Sequence, residues 1–328
     1  MVTVCIPTYN RPDLLRQSLQ SVLWQSFADF EVIVSDNGSQ TDTAAVIAEF
    51  GDPRVKLDRL DENIGLYRNL SRALRLGTGK YRMMLPDDDL MLPGNLERKV
   101  RFFEAHPNVG LVHSAFRYLN ADGLPNGPVT KWTPHEVDTV QPGKDFVGLS
   151  LAQGGVVCVS SVLLRSDLVA DEIFDEADGP YCDLALWMRV AMKGDVGFLA
   201  EGLSGYRVHV SSASSGFRLV EKKGRRHVLT LQHADALHVA YGRFIARQDI
   251  DPELAAEFGK LHADSDRRMR LSIRINRLLP RPVIGLIKRV LRLTRGNKMY
   301  EAVSLYSAYA PDVVDEGTAE PSAEQRRD

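Results

Sequence analysis

Short apolar runs and stretches of helical period alternate through the first third of the chain. Val2-Thr3-Val4-Cys5-Ile6 is a β-rich run that Pro7 stops, because proline has no amide to donate to a strand ladder. Pro12 suits the first turn of a helix, and Leu15, Leu19, Val22 and Leu23 follow at helical spacing. Phe30–Val34 predicts the next strand, closed by the turn residues Asp36-Asn37-Gly38-Ser39. A helix over 43–50, a strand over 55–57, a helix over 66–76 and a strand over 81–85 complete the pattern. Strands alternating with helices predict a parallel sheet with helices on its faces. Ligands of such sheets lie beyond the carboxyl ends of the strands. Pro7-Thr8-Tyr9-Asn10, Asp36–Ser39 and Asp87-Asp88-Asp89 all fall at such ends.

The pattern loosens from Gly110 to Ser215. It predicts short strands at 110–113, 156–161 and 196–199, a Pro- and Gly-rich loop over 120–143, and a helix over 183–193. Beyond Gly216 the chain reads as mostly helical, and after Pro311 it is polar, acidic and expected to be disordered. The expected organisation is one domain over 1–215, with a nucleotide-binding half (1–110) and an acceptor half (111–215). A helical extension over 216–310 and a tail over 311–328 would follow.

Asp87-Asp88-Asp89 carries the chemistry. Three carboxylates at the end of a buried strand repel one another strongly. A divalent cation among them removes that cost, and hard oxygen ligands suit Mg²⁺ or Mn²⁺. Such ions take one or two protein carboxylates and complete their shell with substrate phosphates, so a phosphate-bearing substrate is implied. An acidic turn capping a helix that begins near Pro93 accounts for the same residues equally well.

Composition narrows the class. Hydrophobic content of 44% and charged content of 26% are those of an ordinary soluble globular chain. The three cysteines, Cys5, Cys158 and Cys182, are scattered, which argues against a disulfide framework or a zinc site. With the first strand at Val2 and no long apolar run, neither a signal peptide nor a membrane span is expected, and a cytoplasmic protein is the default. Neither a Gly-x-Gly-x-x-Gly fingerprint nor a P-loop occurs, which disfavours dinucleotide enzymes and P-loop phosphotransferases.

Six segments in order carry a resemblance: Pro7-Thr8-Tyr9-Asn10-Arg11, Ser35-Asp36-Asn37-Gly38-Ser39, Asn63-Ile64-Gly65, Asp87–Asp89, Asp183 with Leu186-Trp187-Met188-Arg189, and Tyr206-Arg207-Val208-His209. Together they resemble the family 2 glycosyltransferases over residues 1–215. The resemblance implies a GT-A fold, an α/β architecture whose Rossmann-like half binds the nucleotide, and an inverting metal-dependent transfer from a UDP- or dTDP-sugar. It implies that Pro7, Thr8, Tyr9 and Asn10 line the base pocket, with the Tyr9 ring stacked on the base. Asp36 would accept from the imide N–H of uracil or thymine, Asn63 and Gly65 would let the backbone approach the nucleotide, and Arg68 would reach the diphosphate. Asp87 would hold the ribose or a metal-bound water, while Asp88, Asp89 and His209 would hold Mn²⁺ or Mg²⁺. Asp183 would be the catalytic base. Two departures stand out: many members start the acidic triplet one residue earlier, where this chain has Pro86, and many carry Glu-Asp where it has Cys182-Asp183. The processive-synthase signature Gln-x-x-Arg-Trp is missing, so a single sugar per encounter is expected. A sugar-1-phosphate nucleotidyltransferase or an inactive nucleotide-binding scaffold are the alternatives.

Between Arg267 and Lys298 there are eleven Lys or Arg residues and no Asp or Glu. Over 281–295, Lys288, Arg292 and Arg295 share one helical face, and Val283, Leu286, Ile287, Val290 and Leu293 share the other. This suits a helix lying at an anionic membrane surface, peripheral at the inner leaflet, where a polyprenyl-linked or glycan acceptor would be met. It equally suits a helix packing its apolar face on the domain. Nucleic acid is not expected, since stacking aromatics are nearly absent from the segment.

Overall fold

A computed structural model describes residues 1–209 apart from 132, 154–156, 170, 171 and 173, then 218–219, 228–229, 231–247 and 249–278. The first third folds as alternating strands and helices: β1 (Val2–Thr8), α1 (Pro12–Leu23), β2 (Phe30–Asp36), α2 (Thr43–Ala48), β3 (Val55–Arg59), α3 (Leu66–Leu76) and β4 (Tyr81–Met84). Then come β5 (Leu90–Met91), α4 (Asn95–Ala105), β6 (Val109–Leu119), β7 (Pro125–Thr130), β8 (Thr139–Gln141), α5 (Gly143–Gln153), β9 (Leu163–Arg165), α6 (Cys182–Ala191) and β10 (Asp195–Arg207). Two helices follow, α7 (Leu231–Ile245) and α8 (Pro252–Leu278).

Among the described residues these strands form one ten-stranded sheet, in the order β3-β2-β1-β4-β9-β6-β10-β5, with β7 on β6 and β8 on β10. The first four are parallel, β9 runs against both β4 and β6, and β6 and β10 are parallel. Parallel strands buried on both faces need apolar residues on both, which is why β1 and β2 are buried throughout. Val2, Val4 and Ile6 face α1 and α4 through Leu15, Leu19, Val22, Leu96 and Phe103. Cys5, Met84 and Leu111 face a second layer built from α3, α5, α6, α7 and α8, with Trp187 fully buried in it.

Four sequence expectations change. Residues 156–161 were expected as a strand, but Val159–Ser161 is a 3-10 turn. The Ser161 hydroxyl donates to the Cys158 carbonyl at 2.6 Å, and such local bonding competes with a ladder. The strand lies just after it, at β9. The 120–143 loop contributes β7 and β8, because the edges of β6 and β10 offer them open backbone groups. β6 and β10 run 11 and 13 residues, longer than their apolar cores suggested, because each pairs with the other along its length. The basic segment is divided. Its first part is the end of α8, where Met269 and Ile273 join the core, Arg268 donates to the Ala152 carbonyl, and Arg270 pairs with Asp266 and Asp235. Those contacts favour docking over a membrane surface for that part. The amphipathic stretch 281–295 and the tail 311–328 lie outside the described residues. Among the described residues no helix is long and apolar enough to cross a membrane.

The two tryptophans on opposite extremes of burial give a test. Trp187→Ala should cost about 3–5 kcal/mol in urea unfolding, as for a large aromatic removed from a packed core. Trp24→Ala, at a site 78% exposed, should stay within about 0.5 kcal/mol. Equal effects would contradict the packing described.

Candidate active site

Parallel register brings the first two polar segments together. Thr8, the last residue of β1, is opposite Asp36, the last of β2. The Asn37 amide donates to the Thr8 carbonyl at 3.0 Å, and the Leu85 amide to the Cys5 carbonyl at 2.9 Å. The chain leaving β4 at Pro86-Asp87 is thus delivered beside β1.

Around this rim side-chain amides knit the loops together. Asn10 adopts a left-handed backbone, φ 56°, and its side-chain Oδ1 accepts from the Gln40 amide at 2.7 Å. Its own amide donates to Ser39 Oγ at 2.9 Å. Asn37 donates to Asn63 Oδ1 at 3.0 Å and accepts from the Ile64 amide at 2.9 Å, so the Asn63-Ile64-Gly65 turn is held by β2's loop. Gly38 has φ 74°, and a Cβ there would come within 2.6 Å of the Glu62 backbone. Glycine at 38 is therefore required by both conformation and space.

Asp36 is fully buried. One carboxylate oxygen accepts from the Ser39 amide at 2.9 Å. The other makes no hydrogen bond among the described residues, with Arg59 Nε 3.6 Å away. Pro7 is buried in β1, while the Tyr9 ring stands 40% exposed at the rim.

All three residues of the acidic triplet are buried, yet they do three different things. Asp87 accepts from the Thr8 hydroxyl at 2.7 Å and from Arg11 Nη1 at 3.2 Å. Burial first, and Asp88 second, push its carboxyl up to about 6, against the pull of Arg11 and Thr8. Asp88 Oδ2 lies 3.3 Å from the same Arg11 nitrogen and 3.0 Å from His209 Nε2. Asp89 turns to β10, where its Oδ1 accepts from the Arg207 amide at 2.9 Å. Its carboxyl is held well above the ordinary range by burial and by Asp88. Of the three predicted cation ligands, Asp88 and His209 are in contact, whereas Asp89 gives Oδ1 to the end of β10 and its Oδ2 is buried without a hydrogen bond among the described residues.

Two residues given no role from sequence organise this cluster. Arg207, buried at the end of β10, donates from Nε to the Asp88 carbonyl at 2.7 Å, from Nη1 to the Ala121 carbonyl at 2.7 Å and from Nη2 to Gln17 at 2.7 Å. Arg11 bridges Asp87 and Asp88. Both lie inside motifs that were recognised, and an arginine beside a buried acidic run was the available signal.

Asp183 is the second residue of α6 and accepts from the Leu184 amide at 2.7 Å. Its surroundings push its carboxyl up to about 6, chiefly by burial. The Cys158 thiol is pushed up by burial, then by Asp89, with a smaller push from Asp183. That thiol is within electrostatic range of both acidic groups. The segment leading to Asp183 is braced by ions: Asp178 takes Arg189 at 3.3 Å and Arg243 of α7 at 2.8 Å, and Glu172 takes Arg189 at 2.6 Å. Arg68 is engaged by Glu176 of this segment at 3.2 Å, on the protein surface.

The sequence model described as Glycosyl transferase family 2 matches residues 3–142, which carry β1 through the acidic triplet and on to β8. Residues 3–142 thus carry the sequence pattern of glycosyl transferase family 2. The chain is similar to a UDP-Glc:alpha-D-GlcNAc-diphosphoundecaprenol beta-1,3-glucosyltransferase, WfgD, of Escherichia coli: 25% identical, covering 66% of this chain and 80% of that protein. An uncharacterised Mycobacterium tuberculosis protein is 34% identical over 37% of this chain and 38% of its own. The chain thus spans about two fifths of that relative's length. Among solved structures, S. aureus TarS 1-349 in complex with UDP-GlcNAc superposes with a TM-score of 0.61 at 16% identity, over 84% of this chain and 72% of that one. The mannosyltransferase PcManGT of Pyrobaculum calidifontis, in complex with GDP-Man and Mn²⁺, gives 0.57 at 17% identity, over 94% and 84%. These likenesses give the chain the GT-A fold.

Asp183 generates a stability prediction. Its folded value, about 6, lies above the ordinary 3.8, so ionising it costs stability. That cost is absent below about pH 4, grows through 4–6 and is fully present above about 6. Asp183→Asn keeps an acceptor for Leu184 without the charge. It should raise Tm at pH 7.5 by roughly 1–4 °C, an advantage that shrinks at pH 5. A lower Tm at pH 7.5 would contradict the buried-charge assignment.

Proposed function

We propose that the chain is a metal-dependent inverting glycosyltransferase that moves one sugar from a UDP- or dTDP-sugar to a hydroxyl group of a glycan or polyprenyl-linked acceptor. The observation that carries this reading is the shared strand end. Thr8 is register-paired with Asp36 and hydrogen-bonded to Asp87, so a buried carboxylate with one oxygen that accepts no hydrogen bond among the described residues and an acidic cluster occupy one rim. In this reading the base of a nucleotide meets the first and its phosphates meet the second. The UDP and UDP-GlcNAc complexes of the structural neighbour TarS support a uridine donor, and the diphosphoundecaprenol-linked substrate in the name of the E. coli relative WfgD supports a lipid-linked acceptor.

In this reading Tyr9 stacks on the base, and the open Asp36 oxygen accepts its imide N–H. Pro7, Thr8 and Asn10 wall the pocket, and Asn63 and Gly65 bring the backbone alongside. Arg68 would exchange Glu176 for the diphosphate. Among the described residues no group of three or more His, Cys, Asp or Glu side chains stands ready to hold a metal. Ions of the Mg²⁺ and Mn²⁺ type do not require one, since they use one or two protein carboxylates and keep oxygens from substrate. Asp87 and Asp88 fit that demand, with His209 beside Asp88. When bound, the cation neutralises charge on the departing diphosphate.

Asp183 takes the acceptor hydroxyl's proton as that oxygen attacks the anomeric carbon opposite the diphosphate. The new C–O bond forms as the bond to phosphate breaks, and the sugar carbon inverts. A base must be ionised, so kcat/KM should rise with pH up to about 6 and then level. Asp183→Asn should lower kcat by about 10²–10⁴-fold with the fold intact. A variant near wild-type rate would remove Asp183 from this role.

The donor reading is tested by thermal shift. UDP or dTDP with Mn²⁺ should raise Tm, by linkage of binding to folding, and neither should do so in Asp88→Ala. GDP outperforming UDP would overturn the role given to Asp36. Shifts unchanged by Mn²⁺ or by Asp88→Ala would overturn the cation site.

A further inference from the structure

We propose that Arg11 is the resident counter-ion of the Asp87–Asp88 pair, and that its guanidinium competes with the divalent cation for the same two carboxylates. The proposal rests on the reading of Asp87 and Asp88 as cation ligands given above.

The backbone around Arg11 is fixed on both sides. Asn10 is held in its left-handed conformation by the β2 loop. On the other side the Leu15 amide donates to the Arg11 carbonyl at 3.0 Å and Pro12 opens α1. From that anchored position the side chain puts one nitrogen, Nη1, 3.2 Å from an Asp87 oxygen and 3.3 Å from an Asp88 oxygen. One guanidinium nitrogen thus meets oxygens of both carboxylates, the two groups that would hold a divalent cation. Both distances are longer than the 2.6 Å of the buried Arg189–Glu172 pair, so Nη1 bridges the two acids without pairing closely with either.

Two adjacent buried carboxylates need positive charge nearby. Arg207 spends its guanidinium on Asp88's carbonyl, Ala121 and Gln17, so it positions the backbone and leaves the Asp88 carboxylate oxygens to others. Arg11 is the side chain that meets both carboxylates. Its side chain is 30% exposed, so it has an outward path, whereas Asp87 and Asp88 are buried and stay. A planar fork displaced from carboxylates matches the oxygens of a diphosphate arriving at the same rim. Two consequences follow for this site: weak cation binding without nucleotide, and tight binding with it, since the nucleotide gives Arg11 another anion.

The test measures Mn²⁺ binding, not turnover. Free Mn²⁺ is followed by electron paramagnetic resonance on the full chain at pH 8, with and without UDP. Without UDP, Arg11→Met should bind Mn²⁺ at least fivefold tighter than wild type. In saturating Mn²⁺ the same variant should bind UDP at least fivefold more weakly. Arg11→Lys, which keeps a charge, should stay within about twofold of wild type for Mn²⁺ alone. Thermal melts check folding, and Arg11→Gln replaces the Met variant should that one not fold. Equal or weaker Mn²⁺ binding after loss of the Arg11 charge, while wild type binds Mn²⁺ with UDP, overturns the competition alone. If no form binds Mn²⁺ even with UDP, the cation reading fails and this proposal falls with it.

Discussion

Three consecutive buried aspartates are the constraint around which this molecule is arranged. Like charges so close and so dry are tolerable only if each has a different partner, and the fold supplies them from four directions. Thr8 reaches Asp87 from β1, and Arg11 reaches Asp87 and Asp88 from the start of α1. His209 reaches Asp88 from beyond β10, and the Arg207 amide reaches Asp89 from the end of β10. Strand order makes this convergence possible, since β1 and β4 are neighbours while β10 approaches from the other side through β6 and β9.

The second half of the site follows from the same sheet. Asp36 lies one strand from Thr8, so the buried Asp36 carboxylate and the acidic cluster are coupled through β1. Asp183 comes from a different layer. It rides on α6, whose far end is buried with Trp187, and its approach segment is clamped by Arg189 and by Arg243 of α7. The C-terminal helices therefore brace the segment that leads to Asp183.

Much of this was legible in the sequence where local chemistry and tertiary demand agree. The β1–β4 half reads directly, because parallel strands impose apolar runs and the connecting turns impose Asn, Asp and Gly. The rim residues Thr8, Asp36 and Asp87 could be placed together because strand ends in such sheets share one edge. Less legible was anything set by non-local pairing. The lengths of β6 and β10, the added strands β7 and β8, and the turn at Val159–Ser161 depend on partners far away in sequence. The division of labour within Asp87–Asp89 was equally hidden, since three identical side chains carry no mark of which partner each will meet. Arg11 and Arg207 lay inside recognised motifs, but only the fold shows one bridging two carboxylates and the other holding the backbone beneath them.

The central claim is that the carboxylates at the end of β4 hold a divalent cation against the phosphates of a nucleotide whose base sits at Asp36. The most direct measurement is an anomalous difference map from crystals grown with UDP and Mn²⁺. A manganese peak at coordination distance from the Asp88 carboxylate and from UDP phosphate oxygens, with the uracil imide facing Asp36, is the predicted result. UDP bound with its base away from Asp36, or manganese located away from the triplet, would contradict the account.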